Sequence, residues 1–254
     1  MTPRRPVRAW VGKAHTDPQE LTGPRGLTDE VLRGEDPLEG PDPEGDDAFW
    51  ESLLTPQRVA RIDAVIAARL ASVTVVLDRL IDAHNVAAIL RTSEGLGLAR
   101  VHLVPHGEGD AGAHRRVTQD ADKWLSVEQH GSGAAAAQAL AARGFAVYAG
   151  NLDAGAKLYA GLAADRPVAL LFGNEHEGPS PATIAACAGT FRIPMAGFTQ
   201  SFNVSVAAAI ALSQICAARR AFLKMPGDLP ADERSALRSR FLRLAAKLYH
   251  RVNR

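Results

Sequence analysis

Residues 193–211 read IPMAGFTQSFNVSVAAAIA. Ile193-Pro194-Met195 ends an extended segment expected over 190–194. Gln200-Ser201 then leads through Asn203 and Ser205 into an Ala-rich helix over about 203–224. Ser and Asn at a helix entrance are ordinary capping residues, and taken alone that is the better reading, although a hydroxyl and an amide can equally face a ligand. Working outward, apolar runs and helical periodicities alternate. Thr55-Pro56 has the form of an N-cap followed by Pro at the first helical position, and Val59, Ile62, Val65, Ile66 and Leu70 recur at helical spacing. Val73-Thr74-Val75-Val76-Leu77 reads as a buried strand. Beyond it the pattern predicts helices over 85–96, 133–143, 181–188 and 231–250. Strands are expected at 100–104, 124–127, 145–149 and 168–172. This alternation specifies an α/β fold with a mostly parallel sheet flanked by helices.

The charge is unevenly spread. The net value of +1 hides twelve acidic residues against Arg25 and Arg33 between Asp17 and Glu51, and ten cations against three acids from Ala217 to Arg254. A basic end suits a polyanionic partner, and equally a solvated helix face. Residues 1–47 are rich in Pro, Gly and acid, as in GEDPLEGPDPEGDD, and have too few apolar side chains to offset the entropy of ordering. They read as a flexible extension with Trp10 as a candidate anchor, followed by a domain over 48–224 and a basic helical extension over 225–254. Cys187 and Cys216 have no metal-ligand spacing, and no signal segment or apolar run of about eighteen residues is evident, so a reduced cytoplasmic protein is expected.

Three loops after strands carry candidate chemistry, where open α/β sheets hold ligands. Asn85-Val86-Ala87-Ala88-Ile89-Leu90-Arg91 follows the 73–77 strand, Gly173-Asn174-Glu175-His176-Glu177-Gly178 follows 168–172, and the 193–205 stretch follows the last strand. Each has a plain alternative: Asn85 caps a helix, Arg91 meets a surface carboxylate, and Gly-x-Glu is a common turn.

Taken in order, Asn85-x5-Arg91, Gly173-x-Glu175-x2-Gly178 and Ile193-Pro194-Met195-x5-Ser201-x-Asn203-Val204-Ser205-Val206-Ala207 resemble the three motifs of the SpoU/TrmH methyltransferases, over about residues 52–224. The resemblance implies an S-adenosylmethionine-dependent RNA 2′-O-ribose methyltransferase. It further implies a homodimer whose catalytic groups gather near the interface, and a domain whose C-terminal part threads a deep trefoil knot, a rare exception to topological rule. Thr55–Arg69, Ala83-His84-Asn85 and Asp122-Lys123-Trp124 resemble the tRNA-modifying branch, which points to a D-loop guanosine of tRNA. By the same resemblance the cofactor meets Gly173, Ile193 and Phe202, with Asn151 a further candidate after the 145–149 strand.

Arg91 matches the family's catalytic arginine. A guanidinium stays protonated, so the role expected for it is to clamp phosphate and stabilise developing alkoxide charge, with phosphate or water receiving the proton. Asn85, Ser201 and Asn203 would hold the ribose and shape the pocket. Glu175 would either meet the cofactor's cationic end or brace its loop. His84 would touch RNA or stand exposed without a role. Ala217-Ala218-Arg219-Arg220 departs from the Arg-x-Arg expected for the tRNA branch; Arg219, Arg220 and Arg238 are the candidate RNA contacts, the last in a stretch of seven cations from Arg234 to Arg254 interleaved with Leu237, Phe241, Leu244 and Leu248. No metal is required.

Other readings are weaker. Asp82-Ala83-His84-Asn85 lacks the glycines of a dinucleotide turn, and Gly-x-Ser-x-Gly is absent. An rRNA 2′-O-methyltransferase of the same family and a non-catalytic knotted RNA-binding protein remain as alternatives.

Overall fold

The computed structural model describes residues 47–106 and 123–252. The acidic extension with Trp10, as well as Asp122 and Arg254, lies outside the described residues. Strand β1 (Val73–Asp78) is buried at every position. It pairs with β2 (Arg100–Val104) on one side and β6 (Val168–Phe172) on the other. The remaining strands are β3 (Ser126–Gln129), β4 (Ala146–Gly150), β5 (Lys157–Leu158) and β7 (Gly189–Arg192), giving the order β3-β2-β1-β6-β4-β7-β5 with every pairing parallel. Strands covered on both faces need apolar side chains on both, which is why β1 and β6 read as continuous runs rather than alternations.

The two faces take alternate residues. Val73, Val75, Leu77, Val168 and Leu170 pack beneath helices α3 (Ala83–Gly95) and α6 (Val204–Leu223), meeting Val86, Ile89, Leu90, Ala208, Leu212 and Ile215. Val76, Ala169 and Leu171 face Ala136, Ala137 and Leu140 of α4 (Gly133–Ala142). Helix α5 (Pro181–Ala186) packs beside α4. Among the described residues α6 is the helix long and apolar enough to cross a membrane by length and composition. Here its apolar stripe lies in the core instead.

A third cluster joins α1 (Asp47–Ser52), α2 (Pro56–Ala67) and α7 (Ala231–Val252) through Trp50, Leu54, Ile62, Ile66, Phe241, Leu242 and Ala245. Thr55 caps α2 as expected, its hydroxyl accepting from the Arg58 N–H at 3.3 Å with Pro56 following. The chain before α7 is tied into the sheet: the Asp228 carboxylate accepts from the Ala71 and Ser72 N–H groups.

The elements expected from the sequence are present with shifted ends. The strand expected at 124–127 begins at Ser126, and the one expected at 190–194 stops at Arg192, so Ile193 and Pro194 lie in the loop. Helix α1, β5 and a short 3-10 turn at Tyr159–Gly161 carry too few residues to make a periodicity.

Candidate active site

The C-terminal ends of β4, β6 and β7 and the entrance of α6 enclose a cavity of about 380 Å³. Asn151 follows β4, Gly173 follows β6, Ile193 follows β7, and Ser201, Phe202 and Asn203 close the wall. All four residues expected at the cofactor thus line one space. Gly173 is required there by close backbone crossing: a Cβ would sit 2.2 Å from the Pro179 nitrogen and 2.4 Å from the Gly178 carbonyl carbon. Asn151 turns its Oδ1 back to the Leu152 N–H at 2.8 Å, and its own N–H is held by the Phe191 carbonyl.

A single hydrogen-bonded chain links the three motifs. Asn203 caps α6: its Oδ1 accepts from the N–H groups of Ser205 (2.8 Å) and Val206 (3.4 Å) and from the Ser205 hydroxyl (2.6 Å). With the oxygen committed, its Nδ2 donates to Asn85 Oδ1 at 3.0 Å. Asn85 Nδ2 in turn donates to Glu175 Oε1 at 3.0 Å. Glu175 also accepts from the Ile81 N–H at Oε2 (2.9 Å) and the Asp82 N–H at Oε1 (3.3 Å). Partial burial works against its charge, but the hydrogen bonds from Ile81, Asn85 and Asp82 outweigh it and hold the carboxyl below its ordinary range. Glu175 therefore braces the β1–α3 loop, one of the two roles open to it from sequence.

Two expected positions differ. Asn85 is not the helix cap; Asp82 is, its carboxylate accepting from the His84 N–H at 2.8 Å, which leaves Asn85 buried inside the first turn. A Ser/Thr/Asp/Asn search finds Asp82 as readily as Asn85, and only the fold decides between them. Arg91 is exposed and makes no hydrogen bond or ion pair with any described residue, and it does not line the cavity. Six residues beyond Asn85, it stands about 9 Å further along α3. His84 is exposed at the start of the same helix. The structure thus brings together Asn85, Glu175, Ser201 and Asn203 and sets Arg91 and His84 apart.

On the C-terminal side, the candidate RNA contacts Arg219, Arg220 and Arg238 all have partners within the chain. Arg219 is 7% exposed and donates to Ser72 Oγ (2.8 Å) and the Ala164 carbonyl (3.0 Å), with Asp228 at 3.9 Å. Arg220 spends its guanidinium on the carbonyls of Pro226, Ala68 and Leu96. Arg238 is held by Asp63, Glu51 and Asp47, and the Asp63 and Glu51 carboxylates raise its pKa. Sequence spacing shows cations; it cannot show that partners such as Ser72, Ala68 and Asp63 reach them from more than 100 positions away.

Away from the cavity, His102, Glu128 and His130 of the β2–β3 edge form a group with metal-ligand chemistry. His102 Nδ1 lies 2.9 Å from His130 Nε2. Glu128 is already occupied by Arg100 and Arg143, each at 2.9 Å. Burial, joined by the fields of His130, Arg143 and Arg100 and opposed by Glu128, pushes the His102 imidazole down to about 4. The surrounding cations oppose a bound metal ion as they oppose the proton.

Comparison with known proteins agrees with this geometry. The chain is 36% identical over 158 residues to a tRNA (guanosine(18)-2'-O)-methyltransferase of Thermus thermophilus, covering 62% of this chain and 81% of that one. It is 30% identical to the Escherichia coli protein of the same name over 187 residues, 72% of this chain and 81% of the other. Among solved structures, the A. aeolicus TrmH/SpoU tRNA modifying enzyme superposes with a TM-score of 0.66 at 26% identity, covering 74% of this chain and 96% of that one. An AdoMet-bound rRNA methyltransferase from Sinorhizobium meliloti superposes at 0.51 with 28% identity, over 56% and 55% of the two chains. Residues 72–213, which run from the start of β1 through the first half of α6 and contain the whole hydrogen-bonded chain, match the SpoU rRNA Methylase family, and the protein belongs to that family.

Proposed function

We propose that this protein is an S-adenosylmethionine-dependent RNA 2′-O-ribose methyltransferase acting on a D-loop guanosine of tRNA. The observation that carries the reading is the Asn203–Asn85–Glu175 chain beside the cavity, which ties the three family motifs into one site. The cavity falls within the size of small-molecule sites, and its walls pair apolar Phe172, Phe191, Ile193 and Phe202 with polar Asn151 and Ser201, a lining suited to a nucleoside with a charged tail. When bound, adenosylmethionine supplies the sulfonium methyl group. Asn85 and Asn203 fix the loop geometry, Ser201 faces the cavity, and Arg91 binds RNA phosphate and stabilises charge developing on the 2′-oxygen, while phosphate or water takes its proton.

Arg91 stands off the cavity of its own chain, and Leu152, Phe198, Phe202 and Val206 are exposed apolar side chains, Leu152 and Phe202 at the cavity. Both features support a homodimer in which the site is completed across the interface. The insertion of β6 between β1 and β4, with β7 beyond β4, supports a C-terminal trefoil knot. The domain division is proposed as an extension over 1–47, a methyltransferase domain over 48–224 and a helical extension over 225–254 that docks on α1 and α2, the whole acting in the cytoplasm.

Methyl transfer from labelled adenosylmethionine into total RNA, followed by nuclease mapping, tests the reading. Label on a tRNA D-loop guanosine is the expected result. Label in rRNA alone would favour the rRNA reading, for which the Sinorhizobium meliloti neighbour speaks. RNA binding without transfer would leave a knotted RNA-binding protein.

A further inference from the structure

Immediately after β1, Arg79 adopts φ 58°, a left-handed conformation that a residue with a Cβ takes only at a cost. The other non-glycine residue of this kind among those described, Lys224, is the ordinary C-cap of α6. Arg79 ends no helix, so its conformation is held from outside. Its N–H donates to the Val104 carbonyl at 2.9 Å, its Nε lies 3.4 Å from Asp78 Oδ1, and its carbonyl accepts from Asn174 Nδ2 at 3.1 Å. Asn174 is 5% exposed, and the other end of its amide is engaged too: Oδ1 accepts from the N–H groups of His176 (2.9 Å) and Glu177 (3.2 Å). Those two bonds fix which end of the amide faces Arg79.

The turn so held has a use two residues on. The Ile81 and Asp82 N–H groups are the backbone donors to Glu175, and Glu175 orders Asn85 and Asn203. We propose that Asn174 is a positioning residue for methyl transfer: its side-chain amide locks Arg79 in the left-handed conformation that aims the Ile81 and Asp82 N–H groups at Glu175. Asn174 and Glu175 are sequence neighbours, so one rigid loop grips the β1–α3 turn at two points. Leaving an αL residue to its own preference loosens the turn, and a buried carbonyl loses its partner. The catalytic part of this assignment rests on the methyltransferase reading above; the clamp itself does not.

The test uses the full chain with Asn174→Ala, Asn174→Asp and Asn174→Ala combined with Arg79→Gly. Asn174→Asp keeps the acceptor for His176 and Glu177 and replaces the donor to Arg79 by a carboxylate oxygen that repels its carbonyl. Both single variants should speed amide exchange at Ile81 and Asp82 about tenfold, and lower the single-turnover methyl-transfer rate at saturating adenosylmethionine by a similar factor. Glycine takes positive φ freely, so Arg79→Gly in the Asn174→Ala background should restore most of both. A general loss of packing would not be repaired by removing a second side chain. Unchanged exchange at Ile81 and Asp82 in Asn174→Asp, or no recovery in the double variant, would overturn the clamp. Exchange that responds as expected in a protein that transfers no methyl group to any RNA would overturn the methyltransferase reading and leave the clamp standing.

Discussion

Replacing Glu175 by Gln tests whether the polar chain has a fixed direction. At one end Asn203 must present its oxygen to the Ser205 and Val206 N–H groups, because it caps α6. At the other end position 175 must accept from the N–H groups of Ile81 and Asp82. Between them, Asn85 accepts from Asn203 and donates to Glu175. A carboxylate satisfies all its donors, since it has two acceptor oxygens and no hydrogen. Gln has one acceptor oxygen. If that oxygen serves Ile81, its NH₂ confronts the Asn85 NH₂; if Asn85 flips, its NH₂ confronts that of Asn203, which cannot flip without uncapping α6. At least one donor–donor contact survives every arrangement, beside a residue only 8% exposed. Leaving a buried donor unpaired costs about 1–3 kcal/mol, and losing charge-assisted bonds keeps the value in the upper half of that range. For a domain of this size, about 2 kcal/mol lowers Tm by roughly 4–8 °C. Urea titration and thermal melting would measure it. Moving the negative charge one link along, in Glu175→Gln combined with Asn85→Asp, restores an acceptor to both neighbours and should recover most of the loss. Glu175→Gln within about 0.5 kcal/mol of the parent, or a double variant worse than the sum of its parts, would refute the reasoning.

Arg91→Ala should lower single-turnover methyl transfer by about 10²- to 10³-fold with an unchanged melt, because the exposed Arg91 side chain makes no hydrogen bond or ion pair with any described residue. Arg219→Ala should act in the opposite way, costing about 3 kcal/mol of stability in denaturant titration while the salt dependence of RNA binding stays put, since its bonds go to Ser72 and Ala164. His102 should make the protein acid-sensitive. Its imidazole titrates at about 4 when folded against 6.5 ordinarily, so the unfolded chain takes the proton first and stability falls as pH drops from about 6.5 towards 4. His102→Gln should flatten that part of a stability–pH curve, and an equally steep curve would place the sensitivity elsewhere. The Glu175 carboxyl, held below its ordinary range, should contribute stability above that range and lose it only as the pH falls through its lowered value, which thermal melts of the parent and Glu175→Gln between neutral and acid pH would reveal.

The class of fold and the loops that meet at the cavity are legible in the sequence. Val73–Leu77 and Val168–Phe172 read as doubly buried strands because a covered parallel sheet leaves no polar face to interrupt the run. Gly173, Ile193, Phe202 and Asn151 follow from the resemblance of their motifs to the family, and they line one cavity because the ends of parallel strands converge. Tertiary structure alone decided what each polar side chain does. Arg219 and Arg220 on α6 and Arg238 on α7 look like an RNA-binding set in the sequence, and each also meets groups that the fold delivers from far along the chain. Glu175 braces the β1–α3 turn because that turn brings two backbone N–H groups to it, while it also lines the cavity. Asn85 yields the helix cap to Asp82 because its own amide is the middle link between Asn203 and Glu175. Periodicity reports which side of an element is buried; hydrogen-bond direction is set by partners 90 to 120 residues away, and a linear pattern carries no record of which way an amide must point.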